Sequence, residues 1–288
     1  MRKLSGYLRL MRPINCLMMG FAVIVGAALA SPNDLSLFWL NLTYGFVTGF
    51  MLTAASMAIN DYYDREIDAV NEPNRPIPSS LIKPKEALAF AFILTSMGFA
   101  AAFANTYLMN SAFCFVTAVV AWTVFVTYTT IGKRSGLPGN FLVSICVAIP
   151  FIYGNYTVAD AIKLNVLIFA SMAFLSNTGR EVTKGIVDVK GDETQKVKTI
   201  AVRYGEKKAA VAATIFYLLA VLLTPIPWFL NLVSLWFIPL VAITDFGLVA
   251  SSFMLLKDHS RENARKIKKI VLLCFITGLL AFIIGAVR

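Results

Sequence analysis

Charge is scarce in this chain and histidine is almost absent. Of 288 residues, 15% are charged, one is histidine and four are cysteine, while 58% are hydrophobic. Mean hydropathy is +0.72. The lone His259 lies in a basic loop, which excludes a histidine-built metal site or a catalytic triad. Cys16, Cys114, Cys146 and Cys274 stand singly in apolar surroundings with no CxxC pair, so they read as packing residues rather than ligands or disulfides. So little charge excludes an ordinary soluble domain of this length and puts the chain in a bilayer.

What is abundant is apolar sequence in long runs. Segments able to cross roughly 30 Å of hydrocarbon occur at 14–30, 37–59, 87–106, 111–130, 140–156, 161–178, 209–230, 233–256 and 267–287. The expectation is an all-α, polytopic bundle of about nine transmembrane helices, with residues 1–288 forming a single transmembrane domain. The first run lacks a small-residue cleavage site and precedes further spans, so it reads as a retained helix rather than a signal peptide.

Positive residues remain on the cytoplasmic side of membrane proteins. With the N-terminus inside, 24 of the 26 Lys and Arg residues fall on cytoplasmic segments, Lys163 and Arg288 being the exceptions. The expected localisation is therefore a multi-pass cell-membrane protein with N-terminus and long polar loops cytoplasmic and C-terminus outside. Topology accounts for most of the net charge of +10, so no nucleic-acid partner is needed. Nothing in the sequence points to a protein partner beyond the lipid bilayer itself.

Acidic residues are confined. Of 16, nine lie within 61–72 or 181–193. Three pairs of positions, Asp61 and Glu181, Asp64 and Lys184, Asp68 and Asp188, share an offset of 120 residues. That constant offset points to a duplicated four-helix unit whose copies run parallel.

In the first cluster, Asn60-Asp61-Tyr62-Tyr63-Asp64-Arg65-Glu66-Ile67-Asp68, the aspartates follow i, i+3, i+7 spacing on one helical face. Three like charges repel unless a cation sits among them, and Mg²⁺ suits one or two carboxylates completed by phosphate oxygens and water. Asn60 can add an amide oxygen. In the second cluster Glu181, Lys184, Asp188 and Asp192 share a face. Asp188 and Asp192 read as metal ligands, while Lys184 either touches phosphate or pairs with an acid.

Arg12, Arg65, Arg75 and the Lys133/Arg134 pair are the cations placed to grip a phosphate, Arg65 foremost because it lies inside the first motif. Asn15, in the first span, and Asp245, near the middle of the eighth, are polar groups that must face the bundle interior or a cavity. For Asp245 an interhelical hydrogen bond and a substrate contact remain equally open.

At these motifs the chain resembles the UbiA superfamily of intramembrane prenyltransferases. Asn60-xxx-Asp64-xxx-Asp68 followed by Asn74-Arg75-Pro76-Ile77-Pro78-Ser79 matches the first signature, and Asp188-xxx-Asp192 the second. Arg12-Pro13-x-Asn15 and Tyr128, shortly before Lys133, agree as well. Within the superfamily the chain looks most like the archaeal-type digeranylgeranylglyceryl phosphate synthases, through Arg12-Pro13-Ile14-Asn15-Cys16-Leu17-Met18, Arg180-Glu181-xx-Lys184 and Gly139-Asn140. Quinone-type members usually carry another acid where Lys184 stands.

The resemblance implies Mg²⁺ as cofactor, held by Asn60, Asp64 and Asp68 on one side and Asp188 and Asp192 on the other, with the four aspartates as the catalytic set. It implies geranylgeranyl diphosphate as donor and a lipid phosphate, geranylgeranylglyceryl phosphate, as acceptor. Arg12, Asn15, Asp61, Arg65, Arg75, Tyr128, Lys133 and Lys184 would then contact substrate. The alternatives are prenylation of an aromatic quinone precursor and, more distantly, transport of a divalent cation or phosphorylated metabolite. Transport needs acids near the midplane, where only Asp245 lies. A CDP-alcohol phosphotransferase would need one contiguous aspartate motif that this sequence does not contain.

Overall fold

Proline and glycine mark where the helices start. A computed structural model describes residues 2–194 and 196–286. It contains α1 (Arg2–Met11), α2 (Pro13–Ala30), α3 (Trp39–Tyr63), α4 (Arg65–Asn71), α5 (Pro84–Met109), α6 (Phe113–Thr130), a 3₁₀ turn (Gly132–Ser135), α7 (Leu137–Tyr156), α8 (Leu164–Val187), α9 (Val189–Thr194), α10 (Ile200–Tyr204), α11 (Glu206–Leu223), α12 (Pro225–Phe229), α13 (Phe237–Lys257) and α14 (Arg261–Ala286). Pro13 and Pro84 occupy the first turns of α2 and α5, where a missing N–H costs nothing. The C-terminus and Arg288, expected outside, lie beyond the described residues.

Among the described residues nine long helices form an all-α membrane bundle, as the apolar runs predict. Eight of them are long and apolar enough to span a membrane. The ninth, α8, starts in apolar sequence but continues without a break through Asn177, Arg180, Glu181 and Lys184. The sequence estimate of 161–178 was therefore short, because the functional motif is itself the last turns of a buried helix. The run at 209–230 is divided, with α11 giving way to α12 at Pro225. Helix α1, not expected from the hydropathy, carries Lys3 and Arg9 beside exposed Leu4 and Leu8, the composition of a helix lying on a membrane surface. Lys3 pairs with Glu86 at 2.8 Å and docks it against the start of α5.

The order long, long, short, long, long appears in α2 to α6 and again from α7 through α13, with α10 and α12 as extra short helices and α14 added at the end. Neighbour relations repeat too: α2 packs on α3, α3 on α5 and α5 on α6, while α7 packs on α8, α8 on α11 and α11 on α13. This arrangement agrees with the offset of 120 residues.

Small residues let these helices approach, as in other membrane bundles. A Cβ on Gly154 of α7 would lie 2.0 Å from the Val23 carbonyl oxygen of α2, and one on Gly26 of α2 would lie 2.1 Å from that of Phe151. Backbone therefore meets backbone where the two halves cross. Polar side chains stitch neighbouring helices: Tyr153 Oη donates to Thr48 at 3.2 Å, Asn177 Nδ2 and Thr178 Oγ1 donate to Ser144 Oγ, and Thr183 shares a 2.9 Å bond with Tyr217. Outward-facing Phe92, Phe103, Phe246 and Phe253 are exposed, as a lipid-facing surface requires.

Gly154→Ala is expected to destabilise the protein by about 1–3 kcal/mol through forced separation of α2 and α7. A lower melting temperature in detergent would register it, and an unchanged one would disprove the backbone contact.

Candidate active site at one end of the bundle

Both acidic motifs lie at the same end. The i to i+4 backbone bonds run on past Tyr63: Asp64 N donates to Asn60 O at 2.9 Å, Asp68 N to Asp64 O at 2.8 Å and Glu72 N to Asp68 O at 2.8 Å. Asp61, Asp64 and Asp68 thus keep one face across the junction of α3 and α4, and all three are buried. Buried carboxylates are costly unless paired. Here each is paired by a cation from elsewhere in the chain.

Arg12, at the junction of α1 and α2, donates to Asp61 Oδ1 at 2.5 Å. It holds a left-handed backbone with φ 53° and ψ 68°, unusual for a residue with a side chain. Arg75 donates to Asp68 Oδ2 at 2.5 Å and to Asp61 Oδ1 at 3.4 Å. Lys133, from the 3₁₀ turn after α6, donates to Asp64, as does Asn60 Nδ2 at 2.9 Å. Burial raises Asp68 above the usual carboxylate range, against the opposing pull of Arg75.

One cation is misplaced by sequence reasoning. Arg65, favoured because it lies inside the motif, turns back: its Nη1 donates to the Tyr62 carbonyl at 2.9 Å and its guanidinium sits 4.7 Å from the Tyr62 ring centroid. One residue from Asp64 on a helical path is about 100° round the axis, so adjacency in sequence places Arg65 on a different face. Arg75, by contrast, reaches the acidic row and pairs with Asp68 and Asp61.

The second motif ends α8 and enters α9. Glu181 is buried and accepts from Arg180 Nη1 and Lys184 Nζ, both at 3.1 Å. Of the two roles open to Lys184, the structure displays the acid pair. Asp188 caps α8, and Asp192 sits one helical turn on in α9. Burial, and secondarily the charge of Asp188, push Asp192 up to about 6, against the attraction of Lys184 and Lys133 and a bond with Thr199. Lys133 therefore acts on both motifs. Gly136 makes this possible: at φ 77° it passes so close to the Lys198 carbonyl that a Cβ would lie 2.0 Å from that oxygen, and Lys198 N donates to Arg134 O at 3.3 Å.

Beneath the motifs a cavity of ≈ 470 Å³ enters the bundle. Arg12, Asn15, Asn60, Tyr128 and Lys184 line it, as do Arg180, Glu181 and Lys268; further walls are apolar, including Met18, Phe125, Phe151, Met172, Phe275 and Phe282. Lys268 and Phe282 stand fourteen residues apart on α14, about 21 Å of helix rise. Asp245 lines it as well, receives a 2.7 Å bond from Thr224 Oγ1 and leaves Oδ1 without a partner, so both of its readings remain compatible with its position. The aspartates adjoin the wall through Asn60 and Arg12. Lys268 was missed in the sequence, being one of six cations between 257 and 269 that topology alone explains.

The donor set is one of hard oxygens, which fits Mg²⁺. Among the described residues no three acidic, thiol or imidazole groups already converge as a closed cage. Mg²⁺ does not require one, since it is typically held by one or two carboxylates with phosphate oxygens and water.

A family model for the UbiA prenyltransferase family matches residues 19–286. The chain belongs to this family. Among UbiA proteins, the Archaeoglobus fulgidus protein named digeranylgeranylglyceryl phosphate synthase is 37% identical over 99% of this chain and 98% of its own length. A solved structure concerning digeranylgeranylglyceryl phosphate synthase in membranes superimposes with a TM-score of 0.79 at 31% identity, covering 100% of this chain and 99% of that one. The fold is also shared with a UbiA homolog from Archaeoglobus fulgidus solved bound to GPP and Mg²⁺, at a TM-score of 0.64 and 18% identity over 96% of this chain and 99% of that one.

Two expectations follow for this UbiA site. Arg75→Ala should lower kcat/KM by roughly tenfold or more, because it strips the partner from buried Asp68, whereas Arg65→Ala should change it by less than about threefold. Comparable losses would return Arg65 to the site. The raised Asp192 means that the folded state holds this proton more tightly than the unfolded chain. Its stabilising effect is full below the ordinary aspartate range and is lost as pH rises through about 6. With Asp192 as a Mg²⁺ ligand, as the resemblance implies, protons and Mg²⁺ would compete for it, and the Mg²⁺ concentration for half-maximal thermal stabilisation should then climb as pH falls below about 6. Asp192→Asn should flatten that climb.

Proposed function

We propose that this chain transfers a geranylgeranyl group from geranylgeranyl diphosphate to the glycerol hydroxyl of geranylgeranylglyceryl phosphate, forming the second ether bond of archaeal-type membrane lipids. The observation that supports this reading is the placement of both acidic motifs and their cations at one end of the bundle, beside a long cavity with mostly apolar walls lined by Arg12, Asn60 and Lys184, in a chain whose near full-length relatives are named for that synthesis.

Asn60, Asp64 and Asp68 with Asp188 and Asp192 would hold Mg²⁺, which when bound would neutralise charge building on the departing diphosphate. Arg12, Arg75 and Lys133 would turn from the carboxylates they now pair to the phosphate oxygens. Tyr128 and Asn15 line the same mouth and would orient the head of the donor. The apolar walls would receive the isoprenoid tail and exclude the water that would otherwise trap an allylic cation. Attack by the acceptor hydroxyl forms the ether C–O bond as the diphosphate C–O bond breaks, and the hydroxyl proton passes to a motif carboxylate or to the released diphosphate. The placement of 24 of 26 cations on one side supports a cytoplasmic position for this end of the bundle.

The test is purified protein with labelled geranylgeranyl diphosphate, Mg²⁺ and either geranylgeranylglyceryl phosphate or 4-hydroxybenzoate. Ether product with the lipid acceptor is expected, and product with the aromatic acid alone would overturn the assignment. Asp64→Ala and Asp188→Ala should each abolish turnover; full activity in both would remove the metal-site assignment.

A further inference from the structure

A second set of cations stands on the cavity wall, apart from those that pair Asp61, Asp64 and Asp68. Arg180 and Lys184 come from α8 and Lys268 from α14. The two helices pack together and run antiparallel, since Phe169 near the start of α8 meets Phe282 near the end of α14 and, at the motif end, Arg261 Nε donates to the Val187 carbonyl at 2.9 Å. Seven residues back along α8 from Val187 is Arg180, and seven residues on along α14 from Arg261 is Lys268. Two turns of each helix thus bring Arg180 and Lys268 level on the same wall, about 10 Å deeper than the anchor.

These three cations face one buried carboxylate, Glu181, which Arg180 and Lys184 already share. The Nε of Arg180 is buried with no hydrogen-bond partner. Lys268 is half-buried, and among the described residues no hydrogen bond or ion pair involves its ammonium. Its neighbours one, two and three turns deeper on the wall, Leu272, Phe275 and Leu279, are apolar. An ammonium on such a wall is costly unless an anion meets it. The donor diphosphate has its own cations in Arg12, Arg75 and Lys133.

We infer that Lys268 and Arg180 bind the phosphate of the acceptor lipid, and so select a phosphorylated glycerol acceptor over a neutral one. This rests on the proposed function and adds a substrate-binding site to it. A phosphomonoester carries about −1.5 to −2 charges near neutrality, a match for the excess of cations here, with Asp188 left to its metal role. A phosphate seated at this depth keeps the glycerol hydroxyl within a few bonds of it, facing the donor across the cavity mouth.

The experiment uses the full chain in detergent or nanodiscs, as wild type, Lys268→Met and Lys268→Arg, with each substrate varied in turn. Lys268→Met should raise KM for geranylgeranylglyceryl phosphate by about tenfold or more, while KM for geranylgeranyl diphosphate stays within about twofold. Lys268→Arg should restore most of the acceptor affinity. With the dephosphorylated acceptor, wild type and Lys268→Met should become alike. As a readout independent of turnover, geranylgeranylglyceryl phosphate without Mg²⁺ should raise the melting temperature of wild type more than that of Lys268→Met. An unchanged acceptor KM in a wild type that does transfer to this lipid, or an equal rise for both substrates, overturns the phosphate site alone. No transfer to this lipid by wild type overturns the function itself.

Discussion

The active end of this bundle depends on the pairing of buried carboxylates with cations drawn from distant parts of the chain. Asp61, Asp64 and Asp68 could not be buried together as a bare row of negative charge. Arg12 from before α2, Arg75 from the loop after α4 and Lys133 from after α6 make the row tolerable. In doing so they pull four segments to one point. The left-handed Arg12 backbone and the tight passage at Gly136 are local costs that this convergence offsets. Phosphate recognition in the proposed reaction would then be a change of partners at cations already in place.

The two halves of the molecule reuse one plan for different electrostatic ends. In the first, the face at 61, 64 and 68 is entirely acidic and its cations arrive from outside. In the second, the equivalent positions are Glu181, Lys184 and Asp188, and the helix supplies its own cations. That inequality leaves α8 and α14 with positive charge to spare. The frame is repeated, and the difference between its two copies makes the wall of one cavity chemically lopsided.

Much of this was legible in the sequence. The apolar runs located nine long helices, and helical spacing put the aspartates on one face because those signals depend only on local periodicity. The offset of 120 residues anticipated the repeated packing. What failed was contact set by tertiary approach. Arg65 looked best because it is adjacent to Asp64, yet a helix sends neighbours to different faces. Lys268 was hidden among cations that topology requires anyway, and only the register of α14 against α8 separates it from them. The polar length of α8 was underestimated because hydropathy takes buried Asn177, Glu181 and Lys184 for loop residues.

The crossing at Gly26 and Gly154 has a mechanical meaning for the whole. Where the halves meet there is no side-chain layer to compress or repack, so peptide groups fix the gap between them. The spacing of α2 and α7, at the end of the bundle away from the motifs, is thereby gauged by main-chain thickness rather than by which aliphatic residues fill the core. Sequences that differ widely in their apolar residues can preserve the same crossing of α2 and α7, provided those two positions stay bare.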